Sequence, residues 1–175
     1  MTIEQLKELA EAILTLGVDL LKERRGDLPA MFHLVKLDGS HEIIEIEGDL
    51  INRSDVKETL ARRIRERVAA GELQAVALLS DTFVGRMTEE NEKIRRRLGL
   101  NVEQSAALGL CERREAVMVA LDSPTFRQVI TQFYKREDGR IELSERKMMD
   151  DTVPGNHGSG RMLDFFDHKG TEHRA

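Results

Sequence analysis

The stretch LQAVALL, residues 73–79, decides the fold of this chain. It is a nearly continuous apolar run, which is typical of a central strand buried on both faces of a sheet. An Asp-Gly pair at residues 38–39 precedes it and another at residues 138–139 follows it, and Asp-Gly supplies the positive φ angles of tight hairpins. The strand-like segments joined by these turns are Met31–Leu37 with His41–Glu47, and Phe126–Arg136 with Arg140–Met148.

The first helix is predicted to run from about Thr2 to Arg25. Thr2 and Gln5 have the spacing of a capping box, and Gly26 suits the left-handed position that follows a helix. At about 100° per residue, the apolar side chains occupy one arc roughly 200° wide, about twice the width that a helix on one core needs. We therefore expect this helix to bury against two surfaces, one of them a second copy of the chain. The candidate anchors of that homodimer are Leu6, Leu9, Ile13, Leu16 and Leu20.

A second helix is predicted from a cap at Asn52 or Ser54 to about Ala70, where Gly71 ends it. Its apolar residues recur every four positions on one stripe, as expected for a helix that packs on a sheet. The remaining predicted elements are two weaker helices, Thr88–Leu98 and Asn101–Leu108, and a strand, Glu115–Leu121.

This order of elements predicts a single α+β domain over residues 1–150, with a mainly antiparallel or mixed sheet of about six strands. The two principal helices are expected to cover one face of that sheet. A doubly wound parallel fold needs a regular alternation of strand and helix, and the pattern lacks it. Residues 151–175 form a polar tail rich in Gly, His and Asp, so we expect this segment to lie outside the domain.

Composition restricts the possible function classes. The 175 residues include one cysteine, Cys111, so a disulfide within the chain is impossible and a cytoplasmic location is expected. No run approaches the 18 apolar residues of a membrane span, and the first residues lack the basic start of a signal peptide. Aromatic residues are 4% of the chain, which disfavours base-stacking platforms.

Two basic clusters raise the possibility of nucleic-acid binding. They are Arg62, Arg63, Arg65 and Arg67 in the second helix, and Lys93, Arg95, Arg96 and Arg97 in the third. Acidic residues stand at i,i+4 positions in the second helix and at the start of the third, where they favour the helix itself. Because the net charge is −5, we do not expect a nucleic-acid partner.

Three tail histidines, His157, His168 and His173, are the weak candidates for a metal site, together with two nearby aspartates. Their spacing matches no compact metal motif, so no metal is expected. A glycine-rich stretch at residues 155–160 lacks the Lys-Ser/Thr and the helix start of a phosphate loop, so no cofactor is expected either.

The best candidate for a polar site is Ser80-Asp81-Thr82, at the predicted exit of the central strand, although residues 80–84 could instead extend that strand. Polar residues at strand ends often belong to binding sites, although they also form ordinary turns. Arg86, Glu112 and Arg114 would converge with Asp81 if the strands that carry them are neighbours. A small-molecule enzyme or ligand-binding domain built around these four residues is therefore the alternative function.

The tail contains an apolar patch formed by Leu163, Phe165 and Phe166. It holds two of the six phenylalanines of the chain, and such side chains are not expected in a fully solvated tail. We expect it to dock on the chain's own core, on a second copy or on another protein. Together with the wide apolar arc of the first helix, it favours a non-catalytic, cytoplasmic, self-associating interaction domain, with a homodimer as the expected assembly.

Overall fold

The computed structural model describes residues 1–24, 28–46, 48, 50, 53–100, 102–150 and 165–166. Several predicted features lie outside these ranges, and the side chain of Arg86 is also outside the description. The features are the helix-ending Gly26, the cap candidate Asn52, Leu163 of the apolar patch, and the tail histidines His157, His168 and His173.

The described elements follow the predicted order. They are α1 (Ile3–Glu23), β1 (Ala30–Lys36), β2 (His41–Ile46), α2 (Ser54–Ala69), β3 (Leu73–Arg86), α3 (Glu89–Leu98), α4 (Val102–Ala107), β4 (Glu112–Asp122), β5 (Arg127–Glu137) and β6 (Arg140–Asp150). The strands form one antiparallel sheet in the order β2-β1-β3-β4-β5-β6. The α+β class and the six-stranded sheet are therefore confirmed.

The stretch LQAVALL opens β3, which lies between β1 and β4 in the sheet. Leu79 pairs with Met31 of β1 on one side and with Val119 of β4 on the other. The strand does not end there, because Ser80, Asp81 and Thr82 continue the pairing with β4. Of the two predictions for residues 80–84, a strand exit and an extension of the strand, the structure contains the extension, since pairing with β4 outweighs the local turn preference of Ser and Asp.

Both Asp-Gly hairpins are present. In the first, the Ser40 amide donates to Asp38 Oδ1 over 2.8 Å, and Gly39 has a φ of +82°. In the second, Asp138 and Gly139 have φ angles of +49° and +73°, the pair of positive values that a two-residue turn needs. These turns fix the registers of β1 with β2 and of β5 with β6.

Helix α1 begins with the predicted capping box, in which the Thr2 amide donates to Gln5 Oε1 (2.8 Å) and the Gln5 amide donates to Thr2 Oγ1 (3.2 Å). The helix approaches the sheet closely at Gly17, where an added Cβ would lie 2.5 Å from Leu79 Cδ1 and 3.1 Å from Val117 Cγ1. We call the sheet surface beneath it the α1 face. The buried residues of α1 are Leu6, Ala10, Ile13, Leu14, Gly17, Val18 and Leu21.

Helix α2 packs against the opposite surface of the sheet, which we call the α2 face. Met31 and Val35 of β1 belong to the apolar cluster under α1, whereas Phe32 and Leu34 belong to the cluster with Ile64 of α2. Successive strand side chains point to opposite sides, so these clusters lie on opposite faces. The expectation that both helices cover one face is thus corrected. The central strands are apolar on both faces, so each face must be shielded from water by another element.

Helix α3 stands away from the core. Thr88 Oγ1 accepts from the Asn91 amide over 3.2 Å and Gly99 ends the helix at a φ of +65°, so its ends follow ordinary capping chemistry. No described residue of α3 is buried, and its two large apolar residues, Ile94 and Leu98, are exposed. None of the helices in the described ranges is long and apolar enough to cross a membrane.

Candidate functional site

A row of leucines lies along one flank of α1. Leu16 is 40% exposed, and Leu9 and Leu20 are partly buried at the margin of the α1-face cluster. We call these three residues the leucine row. The other two predicted anchors, Leu6 and Ile13, are buried against the sheet and are unavailable to a partner in this state. The wide apolar arc therefore divides into a core side and an exposed side.

The ion pairs of α1 fix the direction in which the leucine row points. Arg146 of β6 donates to Glu11, so the Glu11 side of the helix faces β6. At about 100° per residue, the leucine row lies roughly 140–180° around the helix from Glu11 and points toward β1 and β2. Arg24, at the other end of the helix, reaches Glu45 of β2 over 3.7 Å. Next to Glu45 in the sheet edge, Ile43 is 55% exposed.

His33 of β1 lies on the α1 face and is only 5% exposed. Its Nε2 has no hydrogen-bond partner among the described residues. Burial lowers the pKa of His33, and the nearby His41 lowers it further. The imidazole is therefore held in its neutral form at neutral pH.

The aromatic pair of the tail docks on the α2 face. The Phe165 ring meets Phe32 edge to face with 5.8 Å between centroids, and the Arg65 guanidinium lies 5.7 Å from the Phe165 centroid. Phe166 is buried in the same cluster. Of the three docking alternatives, the structure contains the first, packing on the chain's own core. We call the space that the pair fills in this cluster the aromatic-pair groove, and the other buried members of the cluster are Ala30, Phe32, Leu34, Ile46, Ala61, Ile64, Leu73, Val76 and Leu78.

Asp122, at the end of β4, holds the aromatic pair by its backbone. Asp122 Oδ2 accepts from the amides of Phe165 (2.7 Å) and Phe166 (3.0 Å), while Oδ1 accepts from Arg127 Nε (3.3 Å). The carboxylate is 2% exposed, and charge-assisted hydrogen bonds of this kind are stronger than neutral ones. Sequence patterns did not single out Asp122, because its partners come from distant parts of the chain.

Asp81 belongs to a polar cluster on the α1 face. Tyr134 Oη donates to Asp81 Oδ1 (2.8 Å), and Arg136 Nη2 donates to Asp81 Oδ2 (3.2 Å). Arg136 Nε also donates to Glu115 Oε1 over 2.9 Å. Burial raises the pKa of Asp81 against the opposing effects of Tyr134 and Arg136, and burial with the Asp81 contact raises the pKa of Tyr134. The polar groups of this cluster form hydrogen bonds with one another, which is typical of a structural ion-pair network.

The predicted polar site does not bring Asp81 and Arg114 together. Arg114 lies on the α2 face, where Nη1 donates to Glu145 Oε2 (2.7 Å) and the guanidinium lies 4.1 Å from the Phe133 ring centroid. Asp81 lies on the α1 face, because odd and even positions of paired strands point to opposite sides. Glu112 is exposed at the start of β4, opposite Arg86 in the register. The proposed convergence of Asp81 with Arg114 is therefore wrong.

A cavity of about 510 Å³ opens on the α2 face between the sheet and the start of α3. Phe133 and Met149 supply apolar walls, and Arg114 and Lys147 supply positive charge. Glu92, on the opposite wall, accepts from both Arg95 and Arg96, and these bonds lower the pKa of Glu92 to about 2. Only Arg114 was a candidate beforehand, since the other side chains converge from β5, β6 and α3 without a local motif.

The basic clusters of α2 and α3 carry acidic partners. Arg62 pairs with Glu66 (3.3 Å), and Arg67 bridges Glu42 of β2 (3.0 Å) and Glu72 (3.0 Å). Lys93, Arg95 and Arg96 pair within α3 in the same way. Among the described residues no group of three or more His, Cys, Asp and Glu side chains is placed to hold a metal ion.

Comparison of this chain with protein families, with curated proteins and with solved structures found no match. The leucine row, the aromatic-pair groove and the cavity beside α3 are therefore interpreted from their own chemistry.

Proposed function

We propose that the protein is a non-catalytic, cytoplasmic interaction protein that assembles as a homodimer through the leucine row of α1. The observation that carries this proposal is the exposure of Leu16 between Leu9 and Leu20, on a helix whose other apolar side already fills the core. A leucine stripe beside a polar rim is the kind of surface that protein partners cover. The exposed Ile43 of β2 lies on the same face of the sheet as α1.

Two-fold symmetry favours a second copy as the partner. Homo-oligomers with two-fold symmetry are common, and the same apolar row on each copy can cover its counterpart on the other. A two-fold axis perpendicular to α1 makes the two helices run antiparallel, which places their dipoles in a favourable arrangement.

The test compares two exposed leucines that receive the same substitution. Leu16→Asp puts a charge in the centre of the leucine row, and Leu98→Asp puts it on α3, where Leu98 is 59% exposed. We expect light scattering after size exclusion to give a dimer for the wild type and for Leu98→Asp, and a folded monomer for Leu16→Asp. A wild type that elutes as a monomer at every concentration overturns the proposal.

The cavity beside α3 favours a second candidate function, the binding of a small amphipathic anion. Its apolar walls would take a hydrocarbon chain, and Arg114 with Lys147 would face a carboxylate. Calorimetric titration with a straight-chain carboxylate and with the alcohol of equal length tests this function. We expect binding of the carboxylate only, weakened by Lys147→Met and unchanged by Lys93→Met on the outer side of α3. Equal binding of both compounds, or of neither, removes this candidate.

A further inference from the structure

The aromatic-pair groove has the geometry of a peptide-binding site that is already filled. Phe165 and Phe166 are buried in the apolar cluster that α2 and the sheet form, and their two consecutive amides share one carboxylate oxygen of Asp122. The side chains supply buried apolar area, and the amide bonds fix the direction of the backbone. Peptide-recognition domains combine the same two kinds of contact.

The walls of the groove and its occupant belong to separate parts of the chain. Every wall residue lies between Ala30 and Leu78, Asp122 ends β4, and the occupant follows the last strand, which ends at Asp150. The sheet order and both hairpins therefore need no contribution from the aromatic pair. The groove is built by the domain, and the pair is a ligand supplied by the same polypeptide.

The charges around the groove indicate the chemistry of its ligand. Arg65 lies over the Phe165 ring and Arg127 lies against Asp122, so two guanidinium groups border the site. In the sequence the aromatic pair stands between two aspartates, as LDFFD at residues 163–167. Because Asp122 balances the charge of Arg127, the guanidinium of Arg65 is the group that an acidic residue beside the aromatic pair complements.

We infer that this groove is a recognition site for an extended peptide segment of another protein that carries two consecutive aromatic residues flanked by acidic ones. The chain's own Phe165 and Phe166 occupy it as an internal competitor. Because the aromatic pair is tethered to the domain, it competes at a high effective concentration. The apparent affinity for a segment of another protein is therefore reduced in proportion to the fraction of molecules in which the pair has left the groove. The inference concerns the α2 face and is independent of the homodimer proposed through α1.

The chain contains no tryptophan, which allows a direct test on the full-length protein. Phe166→Trp places a single reporter in the groove, and Phe83→Trp places one on the α1 face as the control. The probe is a synthetic peptide of residues 160–170, and its partner peptide has both phenylalanines replaced by serine. We expect the first peptide alone to shift the Phe166→Trp emission to the red, with saturation. No shift, or an equal shift with both peptides or in both variants, overturns the inference.

A second measurement does not depend on the tryptophan reporter. With a fluorescently labelled peptide of residues 160–170, the full-length variant Phe165→Ala with Phe166→Ala has an open groove, whereas the wild type has a competitor in place. Fluorescence anisotropy is expected to give at least about tenfold tighter binding to the variant. Circular dichroism checks that the variant is folded. Equal affinities for the two proteins contradict the inference, since they mean that the aromatic pair does not block a peptide site.

Discussion

The leucine row and the aromatic pair are both apolar groups beyond what a single core requires, yet the structure treats them differently. Phe165 and Phe166 are buried on the α2 face, with their amides bonded to Asp122. Leu16 stays 40% exposed at the side of α1, with Leu9 and Leu20 at the margin of the core. The first group is buried within one chain, and the second stays partly exposed.

The difference follows from what each face of the sheet lacks. A 21-residue helix covers the centre of the α1 face, and its core side is filled before the leucine row is reached. On the α2 face, the shorter α2 buries only Ala61 and Ile64, which leaves apolar sheet surface for the aromatic pair. A surplus of apolar residues in a sequence therefore indicates a surface that another element must bury. Only the packed structure shows whether that element belongs to the same chain.

The largest expected effect concerns Asp122. Asp122→Ala removes the acceptor of two buried amides and a partner of Arg127, so we expect the free energy of unfolding to fall by about 3–5 kcal/mol. Urea denaturation followed by circular dichroism measures the change. A loss within the error of the wild-type value would mean that the aromatic pair is not held by this carboxylate.

A pair of alanine substitutions compares the two apolar groups directly. Phe165→Ala is expected to lower the free energy of unfolding by about 3 kcal/mol, near the lower end for a buried phenylalanine, because undocking of the tail limits the loss. Leu16→Ala in dilute protein is expected to stay within about 0.5 kcal/mol of the wild type, since its side chain adds little to the core of one chain. The same urea titration measures both. Equal losses would remove the distinction between an internal contact and an exposed surface.

Much of the fold is predictable because its signals are local. The capping box at Thr2, the two Asp-Gly turns and the apolar run of β3 each depend on residues close together in sequence, and the structure confirms all of them. The placement of α2 was predicted wrongly, although a strand buried on both faces already implies a cover on each side. The tail docking was one of three alternatives, which residue patterns alone do not separate.

The sites were harder to predict, since they depend on pairing between distant strands. Asp81 was expected at a strand end, yet β4 pairs with β3 well beyond it and places it beside Tyr134 of β5. Arg114 was expected beside Asp81, but the alternation of side chains along β3 and β4 sends the two to opposite faces. Such outcomes need the strand register, which local patterns do not contain.

The close approach of α1 to the sheet is tested at Gly17. A β-branched side chain there meets Leu79 and Val117 in a filled core, so Gly17→Val is expected to lower the free energy of unfolding by about 1–3 kcal/mol. Thermal unfolding measures the loss. Ala12→Val, at an exposed position of the same helix, is the control and is expected to change little. Unchanged stability of Gly17→Val would mean that α1 does not lie this close to β3 and β4.

The smallest expected effect is a pH dependence from His33. Its pKa is lowered in the folded protein, so on acidification the unfolded chain takes up the proton first. Stability relative to His33→Phe is therefore expected to be constant above the usual histidine pKa of about 6.5 and to fall as the pH drops below it. Urea titrations of both proteins on either side of that pH measure the difference. A stability that rises on acidification would contradict the burial of this histidine on the α1 face.

The most direct test of the account is the mass of the wild-type protein in solution, measured by sedimentation equilibrium over a range of concentrations. Assembly through the leucine row predicts a mass that rises to twice the 19.9 kDa of one chain, and a return to one chain in Leu16→Asp but not in Leu98→Asp. A single-chain mass at every concentration, or a dimer that Leu16→Asp leaves intact, would contradict the central claim that α1 carries a self-association surface.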